Sequence, residues 1–158
     1  MEYPKRKRTR LKDFDYSKDG YYFVTVCTKE RKEILGEIIV GEGLCALPKN
    51  KLTPIGECIE ESIRFIDKNY NGVKVDKYVI MPNHIHMIIA LTGGHGNPPL
   101  QNIVGQMKSY VGSKFSGEIF QRSFHDHIIR NEQDYQKIWE YIDTNVAKWE
   151  DDCFHNAN

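Results

Sequence analysis

The stretch "VIMPNHIHMIIAL" (79–91) carries two histidines one residue apart inside an otherwise apolar run. Read as a strand, it sends successive side chains to opposite faces, so Ile85, Met87, Ile89 and Leu91 share one face. His84, His86, Ile88 and Ala90 share the other. Imidazoles two residues apart on one strand face lie roughly 6 to 7 Å apart and can converge on one divalent ion. The same two residues also fit the solvated side of a sheet, and for an isolated His-x-His that is the commoner fate.

Working outward, "VKVDKYVI" (73–80) alternates and Pro82-Asn83 breaks the chain, which predicts an antiparallel hairpin with the histidine strand. Farther upstream, "GYYFVTVCT" (20–28) is rich in aromatic and β-branched residues, and "KEILGEIIV" (32–40) follows at hairpin distance. Residues 41–52 read as loop. Thr53-Pro54 starts a helix with Ile55, Ile59, Ile63, Ile66 and Tyr70 at helical spacing, and Asn71-Gly72 ends it. Downstream, "TGGHGNPP" (92–99) is a loop. A helix from Gln101 to about Phe115 shows a narrow stripe of Ile103, Met107, Val111 and Phe115, weakened by Gly105 and Gly112. "IFQRSFHDHIIR" (119–130) reads as strand, and Asn131 caps a last helix whose Tyr135, Ile138, Trp139, Ile142, Val146 and Trp149 keep a 3.6-residue period. The order predicts an α+β fold with a ferredoxin-like β-α-β-β-α-β core and an antiparallel sheet, plus an extra N-terminal hairpin strand and a C-terminal helix. In that fold the Ile85 face packs on the helices and the histidine face is open or half covered.

Composition bounds the function classes. The 158 residues carry 22 basic and 22 acidic side chains, yet residues 1–12 hold six Lys or Arg against Glu2 alone. From Asn131 onward the balance is acidic, so a polyanion should meet the front of the chain. The division expected is a basic arm over 1–12, one domain over 13–152 and a tail over 153–158. Cys27, Cys45, Cys58 and Cys153 lack the short paired spacing of a zinc or redox motif and read as free thiols. No apolar run approaches the ~20 residues that span a bilayer, and the basic start lacks a signal-peptide core, which predicts a cytoplasmic protein without membrane contact.

Several residues are candidates for chemistry. Tyr110 flanks the apolar stripe of its helix, where a tyrosine ordinarily edges the core; as a nucleophile it needs Lys108, Lys114 or a metal to favour its anion. A second pair, His125 and His127, competes with the first. His95 in a glycine-rich loop and His155 near the C-terminus read as structural. The basic arm is a solvated charge run by default and a phosphate clamp if polyanions bind. Tyr21, Tyr22 and Phe23 put rings on both faces of the first strand, for stacking on bases or for the core.

The segments "RTRLKDFDYSKDGYYFVTVCTKERKEILGEI", "YVIMPNHIHMIIAL", "IVGQMKSYVGSKF" and "FQRSFHDHIIRNEQDYQKIWEYIDTNVAKW", in this order, resemble the REP-associated tyrosine transposases, relatives of the single-strand transposases of insertion sequences. The resemblance runs from about Arg8 to Trp149. It implies an HUH endonuclease in which His84 and His86, around Ile85, bind Mg²⁺ or Mn²⁺. A helix tyrosine, matched to Tyr110, attacks the scissile phosphate of single-stranded DNA and forms a 5′-phosphotyrosine link with a free 3′-hydroxyl. The covalent link conserves bond energy, so strands rejoin without ATP. In the insertion-sequence relatives a polar residue one helical turn past the tyrosine completes the metal site. Here that position is Lys114, a cation, which leaves Gln106, His127 or water as the third ligand. The resemblance also implies binding of palindromic hairpins as monomer or homodimer. The backbone contacts would come from Arg6, Arg8, Arg10, Lys12, Lys108, Lys114, Arg122 and Arg130. Two other classes stay open: a non-catalytic module binding single-stranded nucleic acid on the same fold, and a metal-dependent hydrolase that uses water and leaves no protein-linked product.

Overall fold

The computed structural model describes residues 10–43 and 46–155. Among them the chain runs β1 (Gly20–Cys27), β2 (Gly36–Ile39), β3 (Lys49–Leu52), α1 (Pro54–Asn69), β4 (Val73–Ile80), β5 (His84–Leu91), α2 (Leu100–Lys114), β6 (His125–Ile129) and α3 (Glu132–Thr144). Four strands form one sheet in the order β4-β5-β1-β6, every neighbour antiparallel, which is the ferredoxin-like arrangement. The histidine strand is therefore central. Register sets Thr25 opposite His86 and Cys27 opposite His84.

The helices form where the sequence supplies caps. The Thr53 side chain accepts from the Gly56 amide and Pro54 occupies the first turn of α1. Gly72, at φ +75°, lets the chain leave α1, and a Cβ there would meet the Gly93 backbone at 2.5 Å. Asn131 caps α3 by accepting from the Asp134 amide at 2.8 Å. Helices α1 and α2 bury Ile59, Ile63, Ile66, Ile103, Val104, Met107 and Val111 with Ile85, Met87, Ile89 and Leu91 of β5. The opposite face of β5 is covered as well: Ile88 packs with Ile129 and Ile142, flanked by Phe23, Tyr135, Ile138 and Trp139. A strand buried on both sides tolerates apolar residues at every position, which explains why "MIIAL" does not alternate.

Four expectations need correction. The segment 32–40 does not pair with β1, because β5 and β6 occupy both edges of that strand. A turn at Lys29–Arg31, with Glu30 and Arg31 at φ 56° and 53°, swings the chain away, and β2 pairs instead with β3, inside the segment expected to be loop. The strand expected over 119–130 is confined to His125–Ile129, since the Lys108 ammonium gathers the Gln121 and Arg122 carbonyls and bends the chain before it. The last helix stops at Thr144, and Trp149 sits in a separate 3₁₀ turn, Trp149–Asp151. Finally, the histidine face is not open. No helix among the described residues is long and apolar enough to cross a membrane.

Candidate metal and nucleophile site

His84 and His86 are 0% and 1% exposed, with ring centroids 4.5 Å apart, closer than bare strand spacing because the rings lean together. Each ring is held by its Nδ1. His84 Nδ1 lies 2.8 Å from Asn83 Oδ1; the Asn83 amide nitrogen donates to the Phe154 and Arg31 carbonyls, so its oxygen accepts and His84 Nδ1 carries the proton. His86 Nδ1 meets the Thr25 hydroxyl at 2.8 Å. The Nε2 atoms are thus left for the space between the rings and the C-terminal segment.

A carboxylate closes that space. Asp152 Oδ2 lies 3.8 Å from His84 Nε2 and accepts from Asn145 Nδ2 at 2.9 Å. Ligand atoms of His84, His86 and Asp152 all lie within 4.8 Å of one another. Burial holds His84 down to about 4 and His86 well below its usual value, the latter also through the field of His84. Both rings are neutral at pH 7, so His84 and Asp152 do not form an ion pair there. His84 Nε2 and Asn145 Oδ1 are buried without a hydrogen-bond partner. Unpaired buried lone pairs beside a carboxylate are what a divalent cation would satisfy.

The phenol at this site comes from α3. Tyr141 Oη lies 3.4 Å from His86 Nε2, a long contact, and its ring centroid stands 5.2 Å from that of His86. Burial, then the Asp152 charge, push the Tyr141 phenol up to about 12. The residue is 39% exposed. Phe23, Trp149 and Phe154 wall the pocket, Phe154 at 4.6 Å from the His84 ring and 5.8 Å from His86.

Tyr110 does not join them. Its helix packs against the Ile85 side of the sheet, so the sheet itself separates that phenol from the imidazoles. It borders an apolar cleft of about 190 Å³ between α1 and α2, beside Phe65, Tyr70 and Met107, with the Lys114 ammonium 5.3 Å from its ring. Gln106 lies in the same cleft, hydrogen-bonded to the Tyr70 hydroxyl. His127 is exposed and paired with Asp134 at 2.8 Å. The third-ligand expectations for Gln106 and His127 therefore meet no support in the geometry.

Protein comparisons agree with this architecture. No protein-family profile matches the chain. An uncharacterized protein of Haemophilus influenzae is 33% identical over 171 residues, covering 93% of this chain and 91% of that one. The chain belongs to that protein's family. A solved REP-associated tyrosine transposase bound to a REP hairpin matches with TM-score 0.66 over 89% of this chain and 73% of that chain, at 22% identity. A Deinococcus radiodurans protein with a provisional transposase name matches at TM-score 0.51 over 85% of this chain and 97% of that chain, at 18% identity. The fold is that of the REP-associated tyrosine transposases, as the sequence resemblance implied.

Within this transposase fold the basic candidates scatter. Arg6 and Arg8 lie outside the described residues. Arg10 is anchored, its guanidinium 4.2 Å over the Phe124 ring and its Nε 3.5 Å from the buried Asp126 carboxylate. Lys108 is half-buried and spends its ammonium on the Gln121 and Arg122 carbonyls, so it is a strut more than a free phosphate contact. Lys12, Lys114, Arg122 and Arg130 are exposed. Thr25, Asn83, Tyr141, Asn145 and Asp152 were not singled out from sequence. One signal was available: the polar residue missing one turn after Tyr110 is present one turn after Tyr141, as Asn145.

Proposed function

We propose that the protein is a metal-dependent DNA strand transferase acting on hairpin-forming single strands, with Tyr141, not Tyr110, as its nucleophile. The observation that carries this reading is the Tyr141 hydroxyl 3.4 Å from His86 Nε2, on the face of the sheet that holds both imidazoles. The transposase neighbour bound to a REP hairpin supplies the substrate class. His84 and His86 through Nε2, with oxygen from Asn145 and Asp152, would hold the ion. With two imidazole nitrogens among its donors, this set suits Mn²⁺ better than Mg²⁺, which prefers oxygen ligands and retained water. The bound ion would supply Lewis-acid polarisation of the scissile phosphate and stabilise phenolate.

The chain's own residues do the rest. Asn83 and Thr25 fix the imidazole rings so that neither must reorganise when the ion binds. Tyr141 Oη forms a bond to phosphorus while the bond from phosphorus to the 3′ oxygen breaks. The phenol gives up its proton and the leaving 3′ oxygen gains one, yielding a 5′-phosphotyrosine and a 3′-hydroxyl. The acidic phenol form dominates at neutral pH, so the nucleophile is inert until substrate and ion are in place.

The test is adduct formation with hairpin oligonucleotides and Mn²⁺. Tyr141→Phe should abolish the covalent product while DNA binding persists, and Tyr110→Phe should leave it. Cleavage without any protein-linked product would favour a hydrolase. Binding indifferent to EDTA without cleavage would favour a non-catalytic module.

A further inference from the structure

Two thiols border the histidine pair and take no part in the chemistry above. Cys27 ends β1 on the histidine face of the sheet, in register with His84, and is 3% exposed. Cys153 is exposed and stands in the chain between two residues that reach His84. Asp152 Oδ2 lies 3.8 Å from His84 Nε2, and the Phe154 ring lies 4.6 Å from that of His84. Both thiols therefore flank one imidazole, although almost the whole chain separates them. Burial pushes the Cys27 thiol up; of its charged neighbours Arg31 opposes that shift, while Cys153 and then Asp152 add to it, so the two sulfurs lie within electrostatic reach. Residues 152–155 form a turn, closed by the His155 amide on the Asp152 carbonyl at 2.9 Å, and belong to no helix or strand. Among the described residues the donors gathered within 4.8 Å of one another are His84, His86 and Asp152, and neither sulfur is with them.

We propose that Cys27 and Cys153 form a redox-active pair, which a small-molecule disulfide such as glutathione disulfide converts to an intramolecular disulfide that slows strand transfer. The effect on strand transfer rests on the transferase reading above; the bond itself does not. A disulfide asks for Cα atoms about 4.4 to 6.8 Å apart, a span that a turn packed on the strand neighbour of Cys27 can meet by small shifts. Exposure decides the order of events. Burial shields Cys27, so the accessible Cys153 thiolate attacks glutathione disulfide first, forming a mixed disulfide and releasing one glutathione thiolate. Cys27 then gives up its proton and attacks the Cys153 sulfur, and the second glutathione leaves as thiolate. The two cysteines have lost two electrons and two protons, and glutathione disulfide has become two molecules of glutathione. Because the imidazoles are 0% and 1% exposed, a phosphodiester reaches them only when surrounding groups move. A covalent tie between β1 and the turn restrains that motion.

The first readout is independent of catalysis. Reduced full-length protein is treated with glutathione disulfide, alkylated and digested without reductant, and the peptides are weighed. A pair joining Cys27 to Cys153 is expected, absent in Cys153→Ser, unchanged in Cys58→Ser and split by a phosphine reductant, with folding checked by circular dichroism. The second readout is the rate of covalent adduct formation with a single-stranded hairpin oligonucleotide and Mn²⁺. It should fall at least about tenfold in the oxidised protein, as expected when the population able to open is reduced, and recover on reduction. Cys153→Ser should form adduct at the same rate with and without glutathione disulfide. Cys153 carrying glutathione with no link to Cys27, or linked to Cys45 or Cys58 instead, would overturn the pair. A linked protein that forms adduct at the unoxidised rate would overturn its effect on strand transfer. Absence of adduct even in the reduced protein would overturn the transferase reading, while the linked peptide would still decide the thiol pair.

Discussion

The two faces of β5 are made of neighbouring residues and do opposite things. On one, Ile85, Met87, Ile89 and Leu91 meet two helices through an apolar contact that asks only for volume. On the other, His84 and His86 lie beside Thr25, Asn83, Tyr141, Asn145 and Asp152, a polar set in which His84 Nε2 and Asn145 Oδ1 stay unpaired. The lesson is that pleat geometry alone sorts chemistry from stability, and the deciding question for any candidate nucleophile is which face its helix covers. Tyr110 and Tyr141 are almost equally exposed, at 37% and 39%, so exposure does not separate them. The side of the sheet does.

Substitutions on the two faces should therefore fail in different ways. The largest effect is expected on the polar face: His86→Ala should remove specific Mn²⁺ binding, measured by titration calorimetry, with little change in fold. On the apolar face, Ile85→Ala should cost about 2 to 5 kcal/mol of stability by urea denaturation, from lost burial and the cavity left behind. Equal loss of metal binding in Ile85→Ala with unchanged stability would erase the distinction.

Acid should act strongly through the polar face. Burial holds His84 down to about 4 against an ordinary 6.5, so between these values the unfolded chain takes up a proton that the folded chain refuses. Stability is then full above pH 6.5 and falls as pH drops toward 4, at roughly 1.4 kcal/mol per pH unit for each such group. Denaturation in EDTA across this range should show the slope, and His84→Gln should reduce it to the part that His86 contributes. Removing the hydroxyl that braces His86, in Thr25→Val, should weaken Mn²⁺ binding about 10- to 100-fold without unfolding the protein. The smallest effect belongs to the surface tie between β4 and α3. Lys77 meets Asp143 at 2.6 Å and stacks 3.8 Å over Trp139, yet Asp143→Ala should cost less than about 1 kcal/mol in a thermal melt because the pair is solvent-screened.

Much of the fold was legible because periodicity is local. The alternation of "VKVDKYVI", the Thr53-Pro54 start, the Asn131 cap and the Ile138–Ile142 spacing each report their own element. Strand pairing was less legible: nothing in "KEILGEIIV" announces that both edges of β1 are already taken. The histidine pair was readable from its spacing, and its tilt toward one point was not. Which tyrosine faces the imidazoles was not legible, for a physical reason. Tyr110 sits on a helix that follows the histidine strand in sequence, but sequence order does not say on which face a helix lands. Asn145 stands one turn beyond Tyr141, where Lys114 stands one turn beyond Tyr110. Nothing in the sequence marked Asp152, since its place beside the imidazoles depends on the chain path after the 3₁₀ turn.

The most direct measurement is to form the DNA adduct with Mn²⁺, digest the protein and locate the nucleotide-bearing peptide by mass spectrometry. The modification is expected on the α3 peptide at Tyr141, with the α2 peptide unmodified. A nucleotide found on Tyr110 would place the chemistry on the other face of the sheet and rule out Tyr141 as the nucleophile.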